Sequence, residues 1–416
     1  MTDNASTRFA IPLVDEDFQI CDPQGLPEDE INACVNFLHS YFERKSDTFA
    51  GYQVNLNIDY TSLAPFLNFN INNVGDPFIE SNYSINSRTM EQAVLSFFAE
   101  LFHADDKDYW GYVASGGTEA NMYGAFIGRE TLAKEGCQPI AYYSEDTHYS
   151  VQKSLHILNV EQCQVNSNEF GQILVDELID QIKKSDPEKH PPLLVINMGT
   201  TFKGAYDDLD AIIKALDKEG IHNRYIHIDA ALGGLFLPFV EQLNRKNVPI
   251  FDFRKNIDSI GVSGHKVIGT PFPCAVFMSL KEKIVHQAKH IDYIETLDST
   301  LAGSRNGMAP ILLWYNIAVN GKDGFCKMAD KMLEMSEYAC ERLSELGYNA
   351  WKNELGLSVI FDRPDKWIIR KWSLSTQGPY AHLFTMPHMN KAKIDRLCHD
   401  LKRARQGLSS KQKNKP

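Results

Sequence analysis

The sequence predicts an α/β protein with a mainly parallel central sheet, flanking helices and a smaller C-terminal α+β domain. From about residue 108, short apolar or β-branched runs alternate with stretches of helical periodicity. That alternation is the mark of parallel strands joined by crossover helices. Beyond residue 348, strand-like pieces mix with short helical ones instead. The chain has 416 residues, of which 43% are hydrophobic and 23% charged, so it can bury a sizeable core.

The elements follow in order. Residues 1–25 are polar and carry Pro and Gly, which suits a loose arm. Residues 27–46 place Ile31, Val35, Phe37, Leu38 and Phe42 at roughly helical spacing. Residues 54–85 are rich in Asn, Gly, Pro and aromatics and read as irregular structure. Residues 89–103 read as an amphipathic helix. Strands are expected at Tyr109–Ala114, Pro139–Tyr143, Leu193–Asn197, Tyr225–Asp229, Ser259–Ser263 and Ala275–Leu280. Helices are expected between them at Thr118–Lys134, His148–Leu158, Val175–Lys184 and Asp207–Lys218. Acidic Asp207 and Asp208 suit a helix start. Residues 310–346 read as one or two long helices. The last part adds strands at Leu357–Phe361 and His382–Thr385 and helices at Lys366–Trp372 and Asn390–Leu401. The division expected is an N-terminal arm with a helical and irregular segment (1–88), a large domain (89–308), a small domain (309–401) and a basic flexible tail (402–416).

Net charge is −12. An acidic body argues against general binding to nucleic-acid backbones. The tail from Lys402 holds six basic residues and no acidic one, and reads as a solvated terminus. No two of the eight cysteines stand at CxxC spacing, so reduced thiols are expected. No apolar run approaches the length of a membrane span, and the N-terminus lacks a signal-peptide pattern. The cytoplasm is the expected compartment, with no membrane partner.

Four segments carry chemistry, each after an expected strand, at the edge where α/β sheets bind ligands. Ser115-Gly116-Gly117-Thr118 joins a strand to a helix start. Its glycines let backbone N–H groups approach an anion, and the helix N-terminus favours negative charge. It is neither a Walker loop nor a GxGxxG turn, and on its own a tight turn with a helix cap explains it equally well. In Tyr225–Ala231, alternation puts His227 and Asp229 on one strand face. A carboxylate there needs a cation, which leaves three readings open: a helix cap, a metal site with His222, or a protonated ring nitrogen. In Ser263-Gly264-His265-Lys266, a lysine follows directly on a buried strand. Desolvation lowers a lysine's pKa and suits it to imine formation. Asp146-Thr147-His148 opens a helix at the same sheet edge.

An anion loop, a histidine, an Asp at a strand end and Ser-Gly-His-Lys, in that order, are what pyridoxal phosphate demands. The stretches LNFNINNVGDP (67–77), WGYVASGGTEANMYG (110–124), YYSEDTHYSVQK (142–153), NMGTTFKGAYDDL (197–209), HIDAALGG (227–234), DSIGVSGHKVIGTPFPC (258–274) and GSRNG (303–307) resemble the group II pyridoxal-phosphate-dependent amino-acid decarboxylases. Within that group the chain looks most like bacterial histidine decarboxylases and plant serine decarboxylases. The likeness spans roughly residues 55–400 and implies a fold-type-I transferase fold, a pyridoxal 5'-phosphate cofactor and a homodimer.

The resemblance also implies roles. Lys266 would carry the cofactor as an imine, Asp229 would pair with the ring nitrogen, and His148 would stack on the ring and contact substrate. Ser115, Gly116, Gly117, Thr118, Ser263 and His265 would line the phosphate site, with Thr200 and Ala231 near the ring. Ser304 and Arg305 would serve a neighbouring subunit's site. Tyr293, His148 and freed Lys266 are the candidates for protonating the substrate carbon. Asn72, in the Phe69–Pro77 stretch, and His382 are the expected substrate contacts. Relatives commonly read GSRNGH where this chain has Met308 after Gly307. Histidine is the leading substrate and serine the next. A metal-dependent hydrolase built on His227, Asp229 and His265 would leave Lys266 and the glycine loop without a task. An aminotransferase would need an arginine clamp, for which Arg363 and Arg370 are available.

Overall fold

Five- and six-residue apolar runs become buried strands, and the amphipathic stretches between them become covering helices. The computed structural model describes residues 25–106, 108–133, 136–284 and 289–407, the side chains of Lys289 and Tyr293 excepted. The chain opens with α1 (Glu28–Asp47), a 3₁₀ turn at Thr61–Asn68 and α2 (Arg88–Leu101). There follow β1 (Tyr109–Ala114), α3 (Gly117–Leu132), β2 (Ile140–Ser144), α4 (Tyr149–Ile157), β3 (Glu161–Val165), α5 (Val175–Lys184), β4 (Pro192–Asn197) and α6 (Leu209–Lys218). Then come β5 (Tyr225–Asp229), α7 (Leu237–Gln242), β6 (Ser259–Ser263) and β7 (Ala275–Leu280). A short ribbon, β8 (Lys289–Ile291) and β9 (Thr296–Asp298), leads to α8 (Met308–Glu345). The end comprises β10 (Ser358–Asp362), α9 (Lys366–Trp372), β11 (Ser375–Gln377), β12 (Tyr380–Phe384) and α10 (Lys391–Arg405).

The main sheet has seven strands in the order β1-β7-β6-β5-β4-β2-β3. Only β7 runs antiparallel to its neighbours. The other six therefore end at one edge. Register aligns Asn197 with Asp229 and Asp229 with Gly261 at that edge. One apolar layer packs α2, α5, α6, α7 and α8 against the sheet; α3 and α4 cover the opposite face. A separate cluster joins the C-terminal part of α8, α9 and α10 to the antiparallel sheet β10-β12-β11.

Two elements depart from expectation, β3 and the end of α10. The sequence EQCQV forms β3, although it has no apolar run, because β3 is an edge strand with one neighbour and little burial. Lys402–Arg405, expected as loose tail, continue α10, and residues 408–416 lie outside the described residues. Helix α1 forms as expected, yet none of its residues is buried. Its apolar stripe stays open, with Ile31, Val35 and Phe42 exposed by 46%, 60% and 55%.

Burial makes stability depend on pH. His227, His382 and His388 are each pulled down to about 4, in each case chiefly by desolvation. Unfolding returns them to ordinary histidine values, so the unfolded chain takes up their protons between pH 6.5 and 4. Their contribution is complete above the unfolded value and is lost as pH falls. Asp207, raised to about 6 by burial, opposes this below pH 6 by retaining its proton in the folded state. These four groups alone give a net uptake of about two protons near pH 5. Denaturant titrations at pH 7 and pH 5 should find the midpoint lower at pH 5; an unchanged or higher midpoint would refute the assignment.

Candidate active site

The carboxyl ends of β1, β2, β4, β5 and β6 converge on one cleft. Its lining includes Gly117, Thr118, Asn121, His148, Thr200, Asp229, Ala231, Ser263, His265 and Lys266. Four expected segments, scattered over 150 residues of sequence, thus meet because parallel strands share an edge.

Lys266 follows β6 in a tight turn held from outside the sheet. The Asn55 N–H donates to the Lys266 carbonyl at 3.0 Å, and Asn55 Nδ2 donates to the Val267 carbonyl at 2.9 Å. Burial draws the ammonium down to about 8, partly opposed by the charge of Asp229. Asp229 closes β5 and is 8% exposed. Asn121 Nδ2 donates to its Oδ2 at 2.7 Å and the Ala231 N–H to its Oδ1 at 3.1 Å. One donor on each oxygen leaves acceptor capacity toward the cleft.

His148 is the N-cap of α4, and its Nδ1 accepts the Ser150 N–H at 3.3 Å. That acceptor role places the proton of the neutral ring on Nε2. The Ser150 hydroxyl lies 2.7 Å from the same Nδ1 and fixes the ring's orientation. Desolvation lowers the His148 pKa, opposed by Asp229 and aided by Lys266 and Lys153. His265 is lowered as well, first by desolvation and then by Lys266.

The anion cradle is narrower than expected. A Cβ on Gly117 would meet Ser263 Oγ at 2.7 Å, whereas one on Gly116 would find only Pro273 Cβ at 4.0 Å. Close approach therefore demands glycine at 117 alone. Ser115 N–H and Oγ both donate to Glu119, so its donors face the helix and it does not line the cleft. Gly117, Thr118, Ser263 and His265 remain. With Asp229 and Lys266 they form an anion cradle, a carboxylate and an amine, the donor set that a phosphorylated pyridine aldehyde requires.

Other expected residues lie elsewhere. His382 is 2% exposed, stacks on Phe202 with ring centroids 4.4 Å apart, and has Nδ1 2.8 Å from the Phe202 carbonyl. Its Nε2 lies 3.2 Å from the Gly51 carbonyl. It joins the small sheet to the 199–206 hairpin and does not line the cleft, because the ring is enclosed between these segments and the Gly51 main chain. Asn72 Nδ2 donates to Ser304 Oγ at 3.1 Å, and neither residue lines the cleft of this chain. Arg305 is held in a buried ion pair with Glu91, so it is not free to reach another site. Met308 sits in an apolar cluster with Leu63, Ile71 and Ile311. Tyr293 lies in the short 3₁₀ turn Asp292–Ile294, and its side chain falls outside the described residues. Arg363 and Arg370 are exposed and away from the cleft, so no arginine clamp forms from them. The metal grouping also fails to assemble: His222 is exposed beside Asp217, while Ser259 and Asn121 take up both nitrogens of His227.

Sequence reasoning missed Asn121 and Asn197. Asn121 stands four residues after Gly117, one helical turn along α3 on the same face, which was a readable signal. Asn197 Nδ2 donates to Thr147 Oγ1 at 2.9 Å and to Asp207 Oδ2 at 2.9 Å, a tie that only the sheet register creates.

Known proteins bear on this geometry. The family model described as "Pyridoxal-dependent decarboxylase conserved domain" matches residues 43–360. A histidine decarboxylase of Morganella morganii is 41% identical over 354 residues, spanning 84% of this chain and 91% of its own. Serine decarboxylase 3 of Oryza sativa subsp. japonica is 41% identical over 362 residues, spanning 86% and 79%. The crystal structure of L-methionine decarboxylase from Streptomyces sp. 590 matches with a TM-score of 0.89 and 28% identity, over 96% of this chain and 99% of that one. The cofactor that the cleft's donor set requires is thus pyridoxal phosphate, the fold is that of the pyridoxal-phosphate-dependent decarboxylases, and the chain belongs to the pyridoxal-dependent decarboxylase family, as an enzyme that removes CO2 from an amino acid.

Proposed function

We propose that the substrate is L-histidine and the products are histamine and CO2, with L-serine as the alternative. The observation that carries the active-site reading is the convergence of Lys266, Asp229 and His148 on one cleft. Polar Asn197, Thr200, Thr201 and Ser150 line the same cleft, which suits a polar side chain. Histidine decarboxylases of Acinetobacter baumannii span 91% of this chain and 95% of their own length, whereas serine decarboxylase 3 is matched over 79% of its length. That fuller overlap favours histidine.

Bound pyridoxal phosphate supplies an electron sink for the carbanion left when CO2 departs. The residues of this chain do the rest. Lys266 Nζ, drawn down to about 8, offers a neutral amine near physiological pH for the cofactor's carbonyl carbon. Asp229 would pair with the ring nitrogen through the lone pairs that Asn121 and Ala231 leave free. His148, whose Nδ1 is engaged by Ser150, would stack on the ring and keep Nε2–H available to the substrate. Gly117, Thr118, Ser263 and His265 would hold the phosphate. Tyr293 donates the proton to the substrate carbon, with His148 and Lys266 as competitors. Tyr293→Phe separates them: decarboxylation that continues at the wild-type rate removes Tyr293 from that role.

The chain works as a homodimer in the cytoplasm on this reading. The open stripe of α1 and the exposed Leu67, Phe69 and Ile85 are apolar surface of the kind that meets a second copy. Asn72 and Ser304 would then serve the partner's cleft. Solution mass of the cofactor-loaded protein tests this; a lone 47.1 kDa species would refute it.

CO2 release over a panel of amino acids, with amine products identified by mass, tests the substrate. Release from histidine is expected to exceed that from serine or methionine by at least about tenfold in kcat/KM. Preference for serine or methionine would keep the mechanism and displace histidine.

A further inference from the structure

Behind Asp229 runs a line of buried polar side chains, of which the mechanism above uses only Asn121. Asn121 Nδ2 donates to Asp229 Oδ2 at 2.7 Å. Asn121 Oδ1 lies 3.0 Å from His227 Nε2, and His227 Nδ1 lies 2.8 Å from Ser259 Oγ. Tyr225 OH donates to Ser259 Oγ at 3.0 Å. Asn121 is 5% exposed, and His227, Ser259 and Tyr225 are wholly buried.

The chemistry of one end sets the direction of the whole line. A carboxylate only accepts, so the nitrogen of Asn121 faces Asp229 and its oxygen faces His227. That oxygen needs a donor, so His227 carries its proton on Nε2. Nδ1 is then a bare acceptor, and the Ser259 hydroxyl proton turns to it. The Ser259 oxygen in turn accepts from Tyr225. Each donor has one acceptor, as a buried polar network requires. Burial pulls the His227 pKa down to about 4, which keeps the ring neutral as this pattern demands.

Packing locks the same line. A Cβ on Gly124 would fall 2.3 Å from His227 Nδ1, and one on Gly261 would fall 3.2 Å from Asn121 Oδ1. Helix α3 and strand β6 thus lie close against the ring and the amide, where only glycine fits at 124.

We infer that Asn121 and His227, backed by Ser259, are positioning residues that hold Asp229 in one orientation and so set how firmly the cofactor's ring nitrogen keeps its proton. The inference rests on Asp229 being the partner of that nitrogen. Asn121 borders the cleft beside Asp229, whereas His227 and Ser259 lie outside it and act only through Asn121 and Asp229. Asp229 would pair with the ring nitrogen in the cleft, and the line backs Asp229 from α3, β5 and β6.

The test uses the holoenzyme loaded with pyridoxal phosphate labelled with ¹⁵N in the ring. The probe is the ¹⁵N chemical shift, read beside kcat and KM. In His227→Leu and Asn121→Ala the signal is expected to move toward the unprotonated position. Turnover is expected to fall by about tenfold to a hundredfold, with KM changed by less than about threefold. His227→Gln, whose amide can donate in place of Nε2–H, should restore most of the signal and rate. Wild-type shifts in folded His227→Leu and Asn121→Ala would overturn the inference. Where those variants do not fold, Ser259→Ala removes the donor to Nδ1 with little loss of volume. A smaller shift of the same sign supports the proposal, and an unmoved signal overturns it. Asp229→Asn separates the two levels of argument. If Asp229→Asn leaves the signal unmoved, the active-site reading itself fails; if it moves the signal while the line's variants do not, only this inference fails.

Discussion

Lys266→Ala is expected to leave a folded protein that has lost the visible absorbance of covalently held pyridoxal phosphate and at least about 10³-fold in turnover. The magnitude follows from what the amine does. A pKa of about 8 leaves roughly one amine in ten neutral at pH 7, against a few in ten thousand for an ordinary lysine. Alanine removes that nucleophile and the proton carrier together. Folding should survive, because Lys266 keeps part of its surface open to the cleft and its turn is held by Asn55 through main-chain carbonyls. Absorbance spectra and CO2 release check this with circular dichroism as the folding control. A folded variant that retains the absorbance band or wild-type turnover would remove Lys266 from the mechanism.

The second large effect is on stability. Glu91 is fully buried and accepts from Asn73 Nδ2 at 2.7 Å, from the Val113 N–H at 2.8 Å and from Arg305 Nη1. Arg305 is 6% exposed, and its Nη2 also donates to the Gly75 carbonyl at 3.0 Å. This knot ties the 72–76 segment and the GSRNG loop to β1 and α2. Glu91→Ala strands a guanidinium and two further donors without an acceptor. Breaking such a buried pair costs about 3–5 kcal/mol, mostly through the uncompensated charge. Denaturant unfolding should show a loss of that order. The Glu91→Ala/Arg305→Ala double variant should recover part of it, because it removes the stranded charge. A loss below about 1 kcal/mol for Glu91→Ala would show that water reaches the pair and that the knot is not a dry one.

The same knot shows where sequence reading stopped. GSRNG drew attention as a motif, and the resemblance assigned Ser304 and Arg305 to a neighbour's site. Arg305 instead fills an internal pairing with a glutamate more than 200 positions away, which no local pattern announces. His382 misled for a related reason. Its place in an expected strand was readable, but not that Phe202 and Gly51 would enclose it. Asn121 was legible in principle, because helical spacing alone puts it on the Gly117 face of α3.

What the sequence determined by itself was the alternation of strands and helices, the short segments at strand ends and their chemical kinds. These are local properties: apolar periodicity fixes the secondary structure, and a parallel sheet sends successive strand ends to one edge. The resemblance then named the cofactor, since Lys266, Asp229 and the glycine loop occur in the required order. Only the tertiary structure decided that Glu119 draws Ser115 away from the cradle, that Ser150 sets the tautomer of His148, and that Asn121, His227 and Ser259 stand behind Asp229. Each of these is a hydrogen-bond direction or a buried pairing. Such pairings depend on register between strands and on which side chains water no longer reaches, and both are settled only when the sheet closes.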